Sequence, residues 1–425
     1  MSDVPAIAVA RRALRCGLDV IVHRDPSAPQ VCVAAWYRVG SSDEQPGRSG
    51  LAHLFEHLFK NSAHMPRHHY DVLRRAGASE ANASTAADRT AYYEVVPAEQ
   101  LELALWLEAD RMGYFLPGFA DDGAERLARQ QSVVRAERRK RYEVVPYGPD
   151  QFAVAAALYP EGHPHRYLGI GLHEHIQAAT LDDVIAFYRT WYVPANAQLV
   201  IAGDVELDQA FDLVERYFGS FPGSTRPARQ VIAAPPPQPV RLQVEDPFAS
   251  LRRVHRAWLG PATFTGGEAE LDLVVAAWAL AGTGPLWRRL VYERQLAQRV
   301  AAWTTNTRLG GELHVAVDAR PGADLAEIRA ILDDECARPP DATGLARAFS
   351  RREAGAIWSL VTLARRAAML QNYALYTGEP DGLAADLARY REVTPESAAA
   401  ALARWVDPAH GIEIETVPTD RRSAA

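Results

Sequence analysis

The sequence predicts an α+β protein of two homologous domains, each a mostly antiparallel mixed sheet packed against helices. Three observations carry this prediction. Strand-like runs alternate with long helical runs in the first half, a proline-rich break lies near the middle, and a set of residues recurs on both sides of that break at one fixed distance. Alternating runs of this kind are typical of sheets with helices packed on their faces.

The first half contains four runs with the composition of strands and six with the periodicity of helices. The predicted strands are residues 20–23, 31–38, 91–96 and 198–202. The predicted helices are residues 51–61, 69–76, 99–112, 124–142, 181–191 and 208–218. Because long helices separate the pairs of strands along the sequence, we expect a mixed sheet with these helices packed on it.

The break covers residues 222–239, where prolines interrupt a segment without any periodic pattern. Such a segment is typical of a semi-extended linker. It predicts an N-terminal domain at residues 1–222, a linker at residues 223–239 and a C-terminal domain at residues 240–425.

The two predicted domains are expected to be copies of one unit. Three residues of the first half recur 214 positions later, Thr180 as Thr394, Trp191 as Trp405 and Pro194 as Pro408. Each set begins with a threonine suited to cap a helix N-terminus and ends in a proline followed by a strand-like run. The order of structural elements therefore repeats together with the spacing.

Composition limits the classes of function. Of the 425 residues, 48% are apolar and 23% charged, which suffices for a core in each domain. A formal net charge of -7 offers no surface that would neutralise phosphates, so no nucleic-acid partner is expected. The longest apolar run, residues 271–281, is shorter than the roughly 20 residues that cross a bilayer, so no membrane partner is expected. Three scattered cysteines and an N-terminus without a secretory apolar run predict a cytoplasmic protein.

One helical run, residues 50–61 (GLAHLFEHLFKN), contains residues suited to metal chemistry. His53 and His57 are four positions apart, so they lie one turn apart on one helix face and can bind one ion. Glu56 lies beside that face, where it can take a proton from a water without being a ligand. A chance H-x-x-E-H is expected about 0.03 times in a chain of this composition, so two ordinary core histidines are the less favoured interpretation.

A catalytic zinc usually has three protein ligands, so one more is needed. Spacing leaves five candidates open, namely Glu80, Glu108, Glu125, Glu137 and Glu143. Seven further histidines of this half are interpreted as ordinary surface residues: His64, His68, His69, His163, His165, His173 and His175. The residues alone therefore do not select the third ligand.

The motif and its surroundings resemble the pitrilysin/insulinase family of zinc metallopeptidases, in which H-x-x-E-H is the inverted zinc motif. The similar stretches beyond the motif are residues 82–93 (NASTAADRTAYY), 133–142 (VVRAERRKRY), 146–148 (PYG) and 192–204 (YVPANAQLVIAGD). The similarity is strong from about residue 17 to residue 218 and fainter beyond. The sequence is most similar to the short-chain branch that includes mitochondrial processing peptidase, whose chains of two homologous domains work as paired subunits.

The resemblance implies one Zn²⁺ per chain, held by His53, His57 and Glu137, with Glu56 as the general base. Without the resemblance, Glu137 would be interpreted as a solvated helix residue among arginines. Many relatives carry a second glutamate at the position of Gln130. The amide of Gln130 can still donate or accept a hydrogen bond behind the ligands, although it adds no charge.

The resemblance also implies an edge strand beside the zinc, in which Asn82, Ala83 and Thr85 contact the backbone of a peptide substrate. For Asn82, a turn conformation is an equally acceptable interpretation. Relatives that complete their own cleft carry Arg and Tyr at the positions of Val291 and Gln298. The chain is therefore expected to form half of a clam-shell peptidase, with a homologous partner subunit that supplies those two residues. A heterodimer is favoured over a homodimer.

The sequence thus predicts a zinc-dependent metalloendopeptidase that hydrolyses unfolded peptides or leader segments. Two alternatives come from other classes, a non-catalytic core or assembly subunit of the same fold and a peptide-binding module. Non-catalytic relatives commonly lose the metal ligands, whereas His53, His57, Glu137 and the base Glu56 are all present. The peptidase is therefore the favoured prediction.

Overall fold

The computed structural model describes residues 6–65 and 68–419, which form two compact units that interleave along the sequence. Unit 1 consists of the described residues up to Arg135 together with Leu168–Gln230 and Ala356–Ala384. Unit 2 consists of Ala136–Tyr167, Val231–Gly355 and the described residues from Ala385 onward. These units differ from the continuous ranges 1–222 and 240–425, because each half of the sequence contributes one segment to the other unit. The ranges 1–222 and 240–425 and the linker between them describe the duplication of the sequence, and they stay a prediction.

Unit 1 contains a mixed sheet, as the sequence predicts, but with six strands where four strand-like runs were identified. Its strands are β1 (Ala10–Ala13), β2 (Asp19–Arg24), β3 (Gln30–Tyr37), β4 (Glu80–Thr85), β5 (Thr90–Pro97) and β6 (Ala197–Gly203). They are arranged in the order β1-β2-β6-β3-β5-β4, and only the pair β2 and β6 is parallel. The central strands β3 and β6 are buried along nearly their whole length, whereas β4 lies at the edge and is at most half-buried.

Unit 2 contains a five-stranded sheet of the same design. Its strands are β7 (Val240–Asp246), β8 (Arg253–Gly260), β9 (Ala297–Thr307), β10 (Gly310–Ala319) and β11 (Ile412–Pro418). The order β7-β11-β8-β10-β9 repeats the order β2-β6-β3-β5-β4 of unit 1, with one parallel pair, β7 and β11, at the matching place. The predicted fold class of two homologous sheet-and-helix halves is therefore confirmed.

Each of the six predicted helical runs corresponds to a helix, several with different ends, and the described residues contain further helices that were not predicted. In chain order they are α1 (Leu51–Leu58), α2 (His69–Arg75), α3 (Leu101–Phe119), α4 (Gly123–Arg138), α5 (Gly148–Leu158), α6 (His173–Ala178), α7 (Leu181–Trp191), α8 (Leu207–Phe218), α9 (Glu268–Trp278), α10 (Pro285–Trp287), α11 (Leu325–Cys336), α12 (Ala342–Ser359), α13 (Leu363–Tyr376), α14 (Leu383–Arg391) and α15 (Pro395–Trp405). The predicted helix at residues 124–142 corresponds to α4, which ends at Arg138. A π-helical turn, Arg139–Glu143, continues it. Every described helix lacks the length and apolar character that would be needed to cross a bilayer.

The duplication is visible in matching helices. Helices α7 and α15 are 214 residues apart at both ends. Each begins with a capping box, in which the side chain of Thr180 or Thr394 accepts a hydrogen bond from the backbone N–H three residues later. The threonines that the sequence singles out therefore have the same structural role in both copies.

Each half of the sequence contributes one helix to the other unit. Helix α5, from the first half, packs on β7, β8 and β11 in unit 2, and α13, from the second half, packs on β3, β5 and β6 in unit 1. In unit 1 the buried side chain of Gln371 on α13 donates to the carbonyl oxygens of Ala34 and Gln198, at 2.9 and 3.2 Å. The amide N–H groups of Gln371 are thereby paired inside the core, and they fix the position of α13 on the sheet.

One ion pair between α13 and the end of β2 gives a prediction for stability. Arg366 donates to Asp25, and this bond holds the pKa of Asp25 at about 2. Because the folded pKa is depressed, the carboxylate stabilises the fold above about pH 4, and this contribution is lost as the pH falls toward 2. Asp25→Asn is expected to lower the free energy of unfolding by about 1 kcal/mol at pH 7, after allowance for solvent screening.

Urea unfolding between pH 7 and pH 3 measures this difference, which should shrink as the pH falls. Asp208→Asn is the control, because the Asp208 side chain is 94% exposed and only 3.7 Å from its nearest arginine nitrogen. A difference between wild type and Asp25→Asn that stays constant with pH would contradict the role given to the Asp25 carboxylate.

Candidate metal centre

Helix α1 carries the motif residues, and its first turn is fixed within unit 1. The carboxylate of the buried Glu44 accepts hydrogen bonds from the N–H groups of Gly50 and Ala52, at 3.0 and 2.8 Å. These are donors that the start of a helix leaves without an intrahelical partner. Gly50 has a φ of 87°, and a Cβ there would lie 2.7 Å from the carbonyl oxygen of Ile170. Position 50 therefore requires glycine, and the helix start has one defined place.

The structure brings His53, His57 and Glu137 together. Each offers one ligand atom, and these atoms lie within 4.8 Å of one another. The two imidazole rings are 4.8 Å apart and nearly perpendicular, at 80°. Glu137 lies in the last turn of α4, where its carboxylate is also 3.2 Å from the guanidinium of Arg141. Two imidazoles and one carboxylate are a donor set of catalytic zinc sites, so the residues fit the ion that the sequence implies.

The other candidate glutamates have different surroundings. Glu108 forms a buried ion pair with Arg111 inside α3. The remaining three contact side chains outside the group, Glu80 with Tyr93, Glu125 with Arg129 and Glu143 with Arg138. Among the described residues, the group that contains Glu137 is the one arrangement suited to hold a metal ion.

Glu56 is buried beside this group, with 5% of its surface exposed. Its two carboxylate oxygens have different neighbours. The hydroxyl of Thr85 donates to Oε2 at 2.8 Å, and the ammonium of Lys60 lies 3.8 Å from Oε1. Burying a carboxylate is costly unless such groups compensate it, so both neighbours stabilise Glu56 in this place.

Neither neighbour of Glu56 is expected from the sequence. Thr85 is predicted to contact the backbone of a substrate, which stays a prediction, and its side chain in addition donates to Glu56. Lys60 was not singled out, although its position four residues after Glu56 on a helix is the spacing of a favourable ion pair.

Gln130 lies behind the ligands, where the resemblance predicts it. Its Oε1 is 3.3 Å from Nδ1 of His57. In the tautomer with a proton on Nδ1, that proton is donated to this oxygen, and Nε2 of His57 is the ring nitrogen able to bind an ion. Gln130 therefore orients the His57 ring, as an outer partner of a metal ligand does.

Asn82 and Ala83 lie in the edge strand β4, so the turn conformation considered for Asn82 does not occur. The N–H of Ala86 donates to the carbonyl of Arg89 in the hairpin that follows. By the alternation of antiparallel pairs, the main-chain groups of Ala83 and Thr85 then face the open side of β4. The side-chain oxygen of Asn82 accepts a hydrogen bond from the N–H of Ala83, at 2.9 Å.

Two of the histidines interpreted as surface residues are buried. His69 and His163 are each 2% exposed. Nε2 of His69 lies 3.3 Å from the hydroxyl of Ser62, and burial lowers the pKa of His69 well below its usual value. Burial likewise lowers the pKa of His163, to about 4. The polar residues around these histidines did not indicate that they are buried. The interpretation of both as surface residues was wrong.

Unit 2 has a different set of residues at the matching place. Helix α9 follows β8 and packs on the edge strand β9, as α1 follows β3 and packs against β4. Glu268 and Asp272 stand four residues apart on α9, and their carboxylates pair with Arg389 and Arg352 at 3.2 and 3.4 Å. Guanidinium groups therefore balance the charge here, and unit 2 needs no ion at this place.

The chain matches two family models. Residues 19–139 match the model described as insulinase (peptidase family M16), and residues 178–347 match the model described as peptidase M16 inactive domain. Together the two matches cover well over half of the chain, and the first one includes the whole candidate metal group.

Curated proteins similar to the chain include zinc proteases. The zinc protease PqqE of Helicobacter pylori is 34% identical over 216 residues, which are 49% of this chain and 46% of that protein. The beta subunit of the mitochondrial-processing peptidase of Blastocladiella emersonii is 26% identical over 248 residues, which are 57% of this chain and 51% of that protein. The chain spans about half the length of the curated relatives it matches.

Solved structures share the fold over nearly the whole chain. A protease from Helicobacter pylori has a TM-score of 0.86 at 22% identity, over 97% of this chain and 100% of that chain. A peptidase M16 inactive domain from Pseudomonas fluorescens has a TM-score of 0.83 at 19% identity, over 97% of this chain and 98% of that chain. These likenesses establish the architecture of two sheet-and-helix halves.

Proposed function

The chain belongs to the M16 (pitrilysin/insulinase) family of peptidases, and on that premise we propose that it is a zinc-dependent metalloendopeptidase acting on unfolded peptides or leader segments. The observation that carries the proposal is the grouping of His53, His57 and Glu137 with the buried carboxylate of Glu56 beside it. A structural role alone would not require two histidines and two glutamates at one place.

In the proposed reaction His53, His57 and Glu137 hold one Zn²⁺, and Gln130 orients His57. When bound there, the ion supplies Lewis-acid polarisation of the scissile carbonyl and makes a water more acidic. Glu56 takes a proton from the attacking water and returns it to the leaving nitrogen.

The substrate is proposed to add as a further strand to the open side of β4. The main-chain groups of Ala83 and Thr85 face that side, and a carbonyl of the peptide would replace Asn82 as the acceptor of the Ala83 N–H. Main-chain pairing is independent of substrate side chains and requires an extended segment. This requirement favours unfolded peptides and leader segments over folded proteins.

We also propose that a homologous partner subunit completes the cleft. Val291 is half-buried and Gln298 is exposed at the start of β9, and neither can supply the Arg and Tyr that self-sufficient relatives carry. Equal activity of the chain alone and of a mixture with a homologous subunit would remove the partner from the proposal.

The cytoplasm is the proposed location, since the three cysteines are all unpaired and buried.

One finding favours a second candidate, a non-catalytic subunit of the same fold. Residues 178–347 match a family model described as an inactive domain. The two candidates differ in the chemistry they expect at the metal group, because a non-catalytic subunit has no need of a base beside its ligands.

Metal analysis and a peptidase assay test the proposal. Purified protein is expected to contain one zinc per chain and to hydrolyse an unfolded peptide, with activity that 1,10-phenanthroline removes and added zinc restores. Metal content is read first, because it does not depend on a partner. Bound zinc without hydrolysis, alone or with a homologous subunit, would support the non-catalytic candidate. Protein that binds no zinc would refute the peptidase.

A further inference from the structure

The Thr85 side chain links the edge strand to the base. Its hydroxyl donates to Oε2 of Glu56 at 2.8 Å, across 29 positions of sequence. Thr85 is the last residue of β4, on the half-buried face of that strand. We infer that Thr85 is a positioning residue for Glu56, an inference that rests on the proposed peptidase function.

The geometry around Glu56 gives this hydrogen bond its importance. Lys60 lies 3.8 Å from the other carboxylate oxygen, which is too long for a hydrogen bond. Thr85 therefore provides a short, directional contact that restricts rotation of the carboxylate. A freely rotating carboxylate would spend part of its time with neither oxygen aimed at the reacting water.

Thr85 also connects substrate binding with catalysis. Its main chain faces the open side of β4, where an extended peptide would pair, while its side chain holds the base. One residue, Thr85, then contacts both the bound peptide and Glu56, so it sets the distance from the scissile bond to the carboxylate. A shift of about 1 Å in such an alignment can cost about 100-fold in rate.

Thr85→Val tests the inference, because valine keeps the shape and strand preference of threonine and lacks the hydroxyl. With an unfolded peptide as substrate, kcat is expected to fall about 10- to 100-fold while KM changes less than about threefold, since the main chain that binds substrate is unchanged. Thr85→Ser keeps the hydroxyl and should retain most of the wild-type kcat. Zinc content should match wild type in both variants. The unfolding midpoint should stay near that of wild type in Thr85→Ser and fall in Thr85→Val, which removes a donor from the buried carboxylate of Glu56.

A double-mutant cycle with Glu56→Ala provides a readout that does not depend on activity. In metal-free protein, the unfolding midpoints of Thr85→Val, Glu56→Ala and the double variant should be non-additive, because Thr85→Val removes the donor and Glu56→Ala the acceptor of one hydrogen bond. Additive midpoints, or an active wild type whose kcat is unchanged by Thr85→Val, would overturn the inference. A wild type without activity but with non-additive midpoints would refute the peptidase and leave the Thr85–Glu56 contact supported.

Discussion

Replacing Glu56 with glutamine is expected to lower kcat by about 10²- to 10⁴-fold while the protein keeps its zinc. Glutamine has nearly the same shape as glutamate, and its carbonyl oxygen can still accept the hydrogen bond from Thr85. Its amide, however, cannot take a proton from water at neutral pH. The loss should therefore appear in the chemical step, and single-turnover hydrolysis of an unfolded peptide measures it.

The control for this variant is Glu206→Gln, because the side chain of Glu206 is 69% exposed and lies on the surface of unit 1. This control should keep the activity of wild type. Full activity of Glu56→Gln would mean that another group is the base. Loss of zinc from Glu56→Gln would instead show that Glu56 supports the ligands, so metal content must be measured on the same sample.

The sequence predicts the elements of the fold better than their assembly. Hydrophobic periodicity locates α7 and the strands β3 and β6 to within about two residues. It does not show that α13 packs on the first sheet. Periodicity indicates that one face of a helix is buried, but the apolar face of α13 would suit either sheet equally well. Gln371, which fixes α13 in place, bonds to carbonyl oxygens, and these carry no sequence signal.

At the candidate site, too, contacts within one helix could be predicted from the sequence, whereas contacts between distant segments could not. Spacing on one helix is sufficient to pair His53 with His57. The third ligand could not be selected in this way, and Glu137 was reached through a family resemblance. Among the candidates in the described residues, Glu137 is the glutamate grouped with His53 and His57, with ligand atoms within 4.8 Å of one another, a distinction that depends on folded distances. The contact between Thr85 and Glu56 joins a strand to a helix, so no pattern along the chain predicts it.

Replacing Glu137 with glutamine is expected to weaken zinc binding by at least about 100-fold, with a parallel loss of activity at low zinc concentration. An amide oxygen is a neutral and weaker donor than a carboxylate, and the site loses the negative charge that balances the ion. The lost ion pair with Arg141 matters little, because the Arg141 side chain is 66% exposed. Titration of metal-free protein with zinc measures the affinity.

Excess zinc distinguishes Glu137→Gln from Glu56→Gln. If Glu137 is a ligand, added zinc should restore part of the activity of Glu137→Gln, whereas Glu56→Gln should stay inactive at any zinc concentration because its defect is in proton transfer. Glu125→Gln is the matched control, since Glu125 lies in the first turn of the same helix with its side chain 81% exposed. Wild-type zinc affinity in Glu137→Gln would contradict its assignment as a ligand and return the third ligand to the remaining glutamates. Equal weakening in Glu125→Gln would show that charge on α4, rather than direct coordination, governs the affinity.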